Sequence, residues 1–424
     1  MIFLYRFLFP FALFAALPYY GWRMLRRGGY SRDFIHRFGG HKPLPQKSAG
    51  KRRIWIQAVS VGEVEAIGPL LSKLAANPSL EIIVTTTTST GYRILTEKYA
   101  GLCLYVGVFP IDFYPFSKRT WDNFNPDIAV LMEGEMWPEH MHQASVRRAE
   151  LYLINARMSD KSFARYSKVL WLSERILKKF KRVAASSEFD MARMIKLGVP
   201  SGRIFCSGNL KFDVKPGLNL SSEGKAALRR EMGFAEKSLV LLGSSTWPGE
   251  EEMLIEAMSK IRARGIDCRL LLVPRHAERR EKIKKLLECF PHHVRSQSKQ
   301  ASDGTLIYLA DTTGELGVLT QIADMAFIGK SLPPNNGGQT PIECAALGVA
   351  MVYGPNMSNF RRVCKTLERE QACFRVENAK QAVEELVRLA GLPDIRSETA
   401  YRAKKWHDSN IGATDKVVQM LTGN

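Results

Sequence analysis

The feature that most constrains this fold is the alternation of short apolar runs with longer, more polar helical stretches. In the first block of the chain the apolar runs are residues 54–56, 82–84, 128–131 and 151–154, and in the second they are 239–242, 270–273, 306–309, 325–328 and 350–353. Short, continuously apolar runs are typical of parallel strands that helices bury on both faces. The pattern therefore predicts an α/β protein with two doubly wound, Rossmann-like domains.

A charged stretch with Pro216 and Gly217 interrupts this alternation and predicts the boundary between the domains. The predicted segments are an apolar and basic N-terminal segment at 1–30, a first domain at 31–213, a linker at 214–237 and a second domain at 238–424. Ligands of doubly wound sheets bind outside the carboxyl ends of the strands. We therefore expect the chemistry in a cleft between the two domains.

The N-terminal segment is almost entirely apolar and aromatic from residue 2 to residue 20, interrupted by Arg6, Pro10 and Pro18. About 20 apolar residues suffice to cross a bilayer. Arginines follow directly, and positive residues beside an apolar segment stay in the cytoplasm. We expect a membrane anchor with the body of the protein at the cytoplasmic face. The segment can instead lie in the membrane interface or pack on the core, and it lacks the charged start of a signal peptide.

The formal net charge is +19, which favours anionic partners: nucleic acid, an anionic bilayer or a phosphorylated substrate. No zinc finger, basic zipper or RNP motif is present, so nucleic acid is the least favoured of the three. The seven cysteines are scattered and form no CxxC pair, which argues for reduced thiols and against a zinc ribbon or a secreted disulfide framework.

Four charged residues of the first block follow predicted strands. Glu63 begins a helix after the first strand, Glu133 and Glu135 follow the third, and Lys211 lies at the end of the block. A glutamate that faces a cleft can act as a general base on a hydroxyl, or it can be an ordinary helix N-terminal residue. The hydroxyl-rich turn at 85–91 is best explained as a helix N-cap and polar loop, and a loop lysine is usually only solvated.

The candidates of the second block follow predicted strands in the same way. They are Ser244 and Ser245 in the first turn, Pro274 and Arg275 in the next, Thr313, Gly314 and Glu315 before a later helix, Gly337 and Gly338 in a Gly-Gly turn, and Thr340, Pro341, Ile342 and Glu343 after it. Backbone amides at such turns form anion sites at helix N-termini. Several of these turns in one domain predict a nucleotide, although none is a P-loop or GxGxxG motif.

A set of short motifs runs in order along nearly the whole chain. They are residues 58–63 (Ala-Val-Ser-Val-Gly-Glu), 133–138 (Glu-x-Glu-x-Trp-Pro), 155–159 (Asn-Ala-Arg-Met-Ser), 210–213 (Leu-Lys-Phe-Asp), 273–276 (Val-Pro-Arg-His), 311–316 (Asp-Thr-x-Gly-Glu-Leu) and the turn at 337–338. In these motifs the chain resembles the 3-deoxy-D-manno-octulosonic acid (Kdo) transferases of lipopolysaccharide synthesis, glycosyltransferase family 30.

The resemblance implies a GT-B fold and transfer of Kdo from CMP-Kdo to a lipid A precursor of the lipid IVA type, with inversion at the anomeric carbon. It also implies an inner-membrane location, which agrees with the cytoplasmic face, the anionic membrane surface and the lack of a nucleic-acid partner that the charge and the N-terminal segment predict. CMP-Kdo is then the donor substrate. A metal ion or other cofactor is not expected, since Arg275 and helix N-termini can take up the charge of the single leaving phosphate.

The resemblance also assigns roles. Glu63 corresponds to the general base, and Glu133 and Lys211 to residues that stabilise the transition state. Pro274 with Arg275, residues 313–315 and residues 340–343 fall on the CMP-binding segments.

Four positions depart from the pattern of the resembled family. Gln339 and Thr340 stand where His-Asn is usual, Trp247 replaces a histidine, and Lys330 replaces a common glycine. These departures leave open a membrane-associated GT-B transferase that uses a different nucleotide sugar. A non-catalytic lipid or nucleotide binder is a third hypothesis, which the intact Glu63, Glu133 and Lys211 argue against.

Overall fold

The computed structural model describes residues 2–27, 33–214, 217 and 219–423, and the chain divides into two compact units. The first unit comprises Met1–Val214 and Ile411–Asn424, and the second comprises Lys215–Asn410. Each unit is an α/β layer structure around a parallel sheet. The predicted fold class is confirmed in both units.

The sheet of the first unit has seven parallel strands in the order β3-β2-β1-β4-β5-β6-β7. They are β1 Arg52–Ala58, β2 Leu80–Thr86, β3 Tyr105–Val108, β4 Ile128–Met132, β5 Glu150–Ala156, β6 Arg182–Ala185 and β7 Ile204–Cys206. The interior strand β1 is buried on both faces from Arg53 to Ala58, which explains why its apolar residues do not alternate with polar ones.

In the part of the first unit that the structure describes, nine α-helices precede residue 215. They are α1 Ile2–Arg27, α2 Val61–Ala66, α3 Gly68–Ala75, α4 Ser89–Ile94, α5 Tyr114–Phe124, α6 Pro138–Val146, α7 Asp160–Lys168, α8 Leu170–Leu177 and α9 Glu188–Lys196. The predicted helix at 64–76 is divided at Ile67, since Pro69 occupies the first turn of α3, where a proline is tolerated. Thr88 caps α4 by accepting from Gly91 N at 3.1 Å, as the hydroxyl-rich turn predicts.

Among the described residues, α1 is the one helix that is long and apolar enough to cross a membrane, over Ile2–Trp22. The length and the composition of α1 are the two properties on which this finding rests.

The sheet of the second unit also has seven parallel strands, in the order β10-β11-β9-β8-β12-β13-β14. They are β8 Leu239–Thr246, β9 Cys268–Pro274, β10 His292–Val294, β11 Ile307–Leu309, β12 Met325–Ile328, β13 Ala350–Tyr353 and β14 Phe374–Arg375. The helices are α10 Ser222–Glu231, α11 Glu250–Ala263, α12 Arg280–Leu287, α13 Leu316–Leu319, α14 Ile342–Leu347, α15 Arg361–Arg369, α16 Ala379–Ala390 and α17 Pro393–Asn410.

The last helix, α18 (Ala413–Thr422), belongs to the first unit and not to the second, where the predicted segment 238–424 places it. Val417, Met420 and Leu421 are buried in the core that α3 also lines. The sequence prediction missed this because a helix gives no local signal of which sheet it covers. The segment predicted as a linker at 214–237 likewise contains α10 and is part of the second unit, apart from Val214.

Asp213 fixes the start of α18 on the first unit. Its carboxylate accepts from Gly412 N at 2.7 Å and from Thr414 N at 2.5 Å. We expect Asp213→Ala to lower the free energy of unfolding by about 1–2 kcal/mol, since it removes a helix cap. Urea unfolding measures this. The control is Asp415→Ala, also in α18, which removes an exposed ion pair with Lys73 of α3 and should cost less than about 1 kcal/mol. Equal losses in the two variants would contradict the capping role.

Candidate active site

The charged candidates of the first unit all lie just beyond carboxyl ends of strands in one sheet. Glu63 follows β1, Glu133 and Glu135 follow β4, and Lys211 follows β7. β1 and β4 are hydrogen-bonded neighbours. The predicted gathering of these residues at one edge of the sheet is therefore a consequence of the parallel topology.

Glu63 lies in the first turn of α2 and is 6% exposed. Its Oε2 accepts from Val59 N at 2.9 Å, and its Oε1 accepts from Ser60 Oγ at 2.9 Å. Ser60 in turn caps α2 by accepting from Glu63 N. This arrangement is similar to a capping box, with Val59 N in place of the N–H of the N-cap Ser60, so Glu63 does have a helix-terminal role. It holds the carboxylate in one orientation and leaves each oxygen further lone pairs.

Glu133 is the centre of a three-residue ion-pair cluster. Its Oε1 lies 3.1 Å from Lys211 Nζ, and its Oε2 lies 2.8 Å from Arg157 Nε. The residue has a φ of 54°, in the left-handed region that non-glycine residues rarely adopt. Such strain is concentrated at functional sites, and here it places the carboxylate between two cations.

Burial raises the pKa of Glu63 above the ordinary glutamate value, and the negative charge of Glu133 raises it further. Hydrogen bonds from Val59 and Ser60, and the charge of Lys211, act in the opposite direction. Burial, together with the charges of Glu63 and Glu133, also raises the pKa of Glu135 to about 7. The site thus contains acids that titrate nearer to neutral pH than an exposed glutamate does, which suits proton transfer at neutral pH.

Two residues that support this site were not assigned roles from the sequence. Arg157 is the second cation on Glu133, and Asn155 is fully buried with a φ of 50°. Asn155 Oδ1 accepts from Leu210 N at 3.2 Å and so attaches the end of β5 to the turn that carries Lys211. Both residues lie in the motif at 155–159, and this motif was the sequence feature that could have identified them.

In the second unit, the predicted anion site before α11 is occupied by the protein's own carboxylate. Glu250 is 1% exposed and accepts from four backbone amides, at 2.8, 2.8, 3.0 and 3.4 Å, which belong to Trp247, Lys330, Ser331 and Leu332. Burial raises its pKa to about 7. Glu250 therefore joins the turn after β8 to the turn after β12. Ser244 and Ser245, which the sequence predicts in that turn, lie instead within β8, because the strand continues to Thr246.

The amides of the Gly-Gly turn are also satisfied within the protein, contrary to the expectation that they point at a ligand. Gly337 N donates to Asn356 O, Gly338 N to Lys330 O and Gln339 N to Gly329 O, at 3.0–3.1 Å. A Cβ on Gly338 would lie 2.3 Å from Met357 Sδ, and the residue has a φ of 72°. These glycines therefore allow the turn to pack against the segment that follows β13.

The remaining candidates of the second unit differ in how free they are to bind. Arg275 is exposed just after Pro274 ends β9, and Thr313 and Gly314 are exposed before α13. Glu315 is held by Arg295, with Oε–N distances of 2.9 and 2.8 Å, which lowers the pKa of that carboxyl.

The start of α14 contains the last group of candidates. Thr340 Oγ1 accepts from Ile342 N at 3.2 Å. Pro341 is the N-cap of the helix, and Glu343 lies in its first turn.

Two of the departures from the resembled family are in direct contact. Lys330 Nζ lies 4.5 Å from the ring centroid of Trp247, a cation–π contact. The Trp247 ring also packs edge-on against His276 at 5.2 Å. Lys330 follows β12, Trp247 follows β8 and His276 follows β9, and these three strands are adjacent in the sheet. The two substitutions, at 247 and 330, therefore lie together at the strand ends that also carry Arg275.

No cluster of three or more His, Cys, Asp or Glu side chains that could hold a metal ion occurs in the part of the chain that the structure describes.

Solved structures share this two-sheet architecture over most of the chain. A UDP-GlcNAc 2-epimerase from Neisseria meningitidis is 12% identical with a TM-score of 0.60, covering 88% of this chain and 100% of that one. A glycosyltransferase from Rickettsia africae ESF-5 is 16% identical with a TM-score of 0.58, covering 88% and 99%. The likeness at these identities is one of fold, the GT-B type with two Rossmann-like α/β domains.

The family follows from sequence comparison. The family model described as 3-deoxy-D-manno-octulosonic-acid transferase (kdotransferase) matches residues 32–214. A 3-deoxy-D-manno-octulosonic acid transferase from Haemophilus influenzae is 30% identical over 401 residues, covering 92% of this chain and 91% of that protein. One from Rickettsia felis is 29% identical over 393 residues, covering 91% and 82%. The chain belongs to the 3-deoxy-D-manno-octulosonic acid transferase family and is a glycosyltransferase that transfers Kdo in lipopolysaccharide synthesis.

Proposed function

We propose that this enzyme transfers Kdo from CMP-Kdo to a hydroxyl of a lipid A precursor, with inversion, and that Glu63 is the general base. The observation that carries the proposal is the buried Glu63 carboxylate, fixed by Val59 N and Ser60 Oγ at the carboxyl end of β1. A desolvated carboxylate with a raised pKa is well suited to accept the proton of a sugar hydroxyl.

In this mechanism Glu63 removes the proton of the acceptor hydroxyl as its oxygen attacks the anomeric carbon of Kdo. The new glycosidic bond forms on the face opposite to the bond that breaks, and CMP leaves with the bonding electron pair on its phosphate. Lys211, held by Glu133, supplies a positive charge for the donor carboxylate or the leaving phosphate. Arg275, exposed at the end of β9, supplies another for the phosphate. With these two cations, the mechanism needs no metal ion to stabilise the negative charge on the donor.

The membrane location is part of the same proposal. A lipid A precursor is embedded in a bilayer, and α1 supplies an apolar helix on the unit that carries Glu63. We place the enzyme at the cytoplasmic face of the inner membrane, attached by the N-terminal apolar segment.

The direct test is an in vitro assay with CMP-Kdo, generated in place, and a tetraacyl lipid A precursor, with the products weighed by mass spectrometry. A mass gain of one or more Kdo residues is expected. If no mass is added but CMP still stabilises the enzyme, the proposed acceptor or the proposed sugar is wrong. The assay also reports how many Kdo residues are added.

The contact between Lys330 and Trp247 favours one second candidate, a transferase of this fold that uses another nucleotide sugar. We expect CMP to raise the melting temperature more than UDP at the same concentration, because a ligand stabilises by RT ln(1 + [L]/Kd), about 2.7 kcal/mol at 100 Kd. Differential scanning fluorimetry measures both shifts. A larger shift with UDP would support the second candidate instead.

The raised pKa of Glu63 gives a pH prediction. A general base acts when ionised, so kcat/KM should fall as pH falls through the raised pKa, at a pH above the ordinary glutamate value of about 4.3. Initial rates across pH locate this acid limb. Glu135, whose pKa is raised to about 7, is the competing group. In Glu135→Gln the fall in kcat/KM at low pH should remain. If that fall disappears in this variant, the titrating group is Glu135.

A further inference from the structure

The first turns of α1 are attached to the first unit by buried polar contacts. Tyr5 Oη donates to Asp112 Oδ2 at 2.7 Å, and Arg6 donates to both oxygens of Glu139 at 2.8 Å. The Arg6 guanidinium also lies 4.0 Å from the ring centroid of Tyr114. Asp112 and Glu139 are almost fully buried, so loss of these contacts would leave unpaired buried charge. The N-terminal end of α1 is therefore fixed on the body of the protein.

The same attachment includes the start of α6. Asp112 accepts from Glu139 N at 3.1 Å and from His140 N at 2.8 Å, in addition to Tyr5. One buried carboxylate thus joins α1 to a helix of the Rossmann-like unit, which makes the attachment part of the fold.

A series of ring contacts continues from α1 to the short 3-10 helix Phe34–Phe38. The centroid distances are 5.2 Å for Tyr5–Phe9, 6.1 Å for Phe9–Phe113, 5.4 Å for Phe113–Phe116, 5.2 Å for Phe116–Phe38 and 5.6 Å for Phe38–Phe34. Chain segments on both sides of residues 28–32 are therefore packed on α5 and its preceding turn.

Most of the apolar surface of α1 is exposed. Phe3, Leu4, Phe7, Phe11 and Phe14 are 61–79% exposed and recur at helical spacing. Leu8, Leu17, Tyr19 and Tyr20 are also 51–59% exposed. Ile35, in the 3-10 helix, is 58% exposed. An exposed apolar patch of this kind marks an interaction surface.

The covalent length of the chain limits how α1 can meet a membrane. From Arg6 to Arg27 the helix rises about 31 Å, roughly the hydrocarbon thickness of a bilayer. Asp33 is held on the first unit by Tyr92 Oη at 2.6 Å, and the six residues from Arg27 to Asp33 reach at most about 21 Å. If α1 crossed the bilayer from its fixed Arg6 end, Arg27 would lie about 31 Å away on the other side. The link of at most about 21 Å could not then return the chain to Asp33.

We propose that α1 does not span the membrane but lies along the cytoplasmic surface of an anionic bilayer, with both ends on the same side. The face of Phe3, Phe7, Phe11 and Phe14 enters the acyl boundary, and Ile35 extends it. Arg23, Arg26 and Arg27, in the last two turns of α1, favour an anionic lipid surface over a neutral one; their side chains are not among the described parts of the chain. This inference does not depend on the donor, the acceptor or the role of Glu63.

The first test locates both ends of α1. A Gly-Ser-Cys extension before Met1 and the variant Gly29→Cys are treated with a membrane-impermeant maleimide in spheroplasts, with a cysteine reporter in the periplasm as the positive control. Peptide mass spectrometry distinguishes these sites from the seven native cysteines. We expect both sites to be protected in spheroplasts, and labelling of either would overturn the proposal. Inverted vesicles give the complementary measurement, in which the extension should react.

The second test concerns the apolar face itself. Phe7→Glu with Phe14→Glu should lower co-sedimentation of the full-length protein with anionic phospholipid vesicles at least about tenfold, since each aromatic side chain contributes roughly that factor when buried. Tyr401→Glu, an equally exposed aromatic position in the second unit, is the matched control and should bind as the parent does. Unchanged vesicle binding by the double variant, with loss of a dimer instead, would assign this face to a second copy and overturn the proposal.

Discussion

Glu63→Gln is expected to lower kcat for Kdo transfer about 10²–10⁴-fold, the contribution of a positioned general base. The amide cannot take the proton of the acceptor hydroxyl. Its oxygen can still accept a hydrogen bond from Val59 N or Ser60 Oγ, so the turn before α2 should remain folded. Single-turnover assays measure the loss, and the CMP-induced rise in melting temperature shows that the nucleotide still binds.

The control for this variant is Ser60→Ala, which weakens the cap of α2 and leaves the Glu63 carboxylate in place. It should cost about 1 kcal/mol of stability and far less rate than Glu63→Gln. If Glu63→Gln retained the wild-type rate, or if Ser60→Ala lost as much, Glu63 would be a capping residue rather than a base.

Lys211→Met is expected to give the second largest effect, a loss in kcat of about 10²–10³-fold, as found for other preorganised electrostatic groups. In the first unit the Lys211 ammonium group is the cation proposed to meet charge that develops on the substrate, and Arg275 is the proposed cation of the second unit. The carboxylate of Glu133 would remain paired with Arg157 at 2.8 Å, so the loss should come from the chemistry and not from an unpaired acid.

Arg157→Met provides the matched comparison, because it removes the other cation from the same carboxylate. It should lower kcat much less than Lys211→Met does. Equal effects of the two substitutions would indicate that the cations only hold Glu133, and a full rate in Lys211→Met would exclude a transition-state role for this lysine.

The strands and the candidate residues at their ends were predictable because both depend on local sequence. A buried parallel strand has a continuous apolar run, and the residue that follows it lies at the ligand-binding edge whatever the rest of the fold does. Glu63, Glu133 and Lys211 could therefore be placed at this edge before any contact was known. Their roles came from the family resemblance, and family membership supports the reaction class.

The partners of those residues were not predictable, because they depend on which segments the fold brings together. Glu250 reads in the sequence as an ordinary first-turn glutamate, yet it accepts from amides some 80 positions away. Its burial is what overturns the expected anion site at the start of α11. Arg157 lay in a recognised motif, but its pairing with Glu133 is set by the neighbouring positions of β4 and β5.

The return of α18 to the first unit has a consequence for synthesis on the ribosome. The second unit is one continuous stretch, Lys215–Asn410, and can fold as soon as that stretch emerges. The unit that carries Glu63 cannot bury Val417, Met420 and Leu421 until α18 has been translated and has left the ribosome. Its core is thus completed after that of the second unit, although most of its residues are made first. A chain whose synthesis stops before α18 has a base-bearing sheet that lacks one of its covering helices.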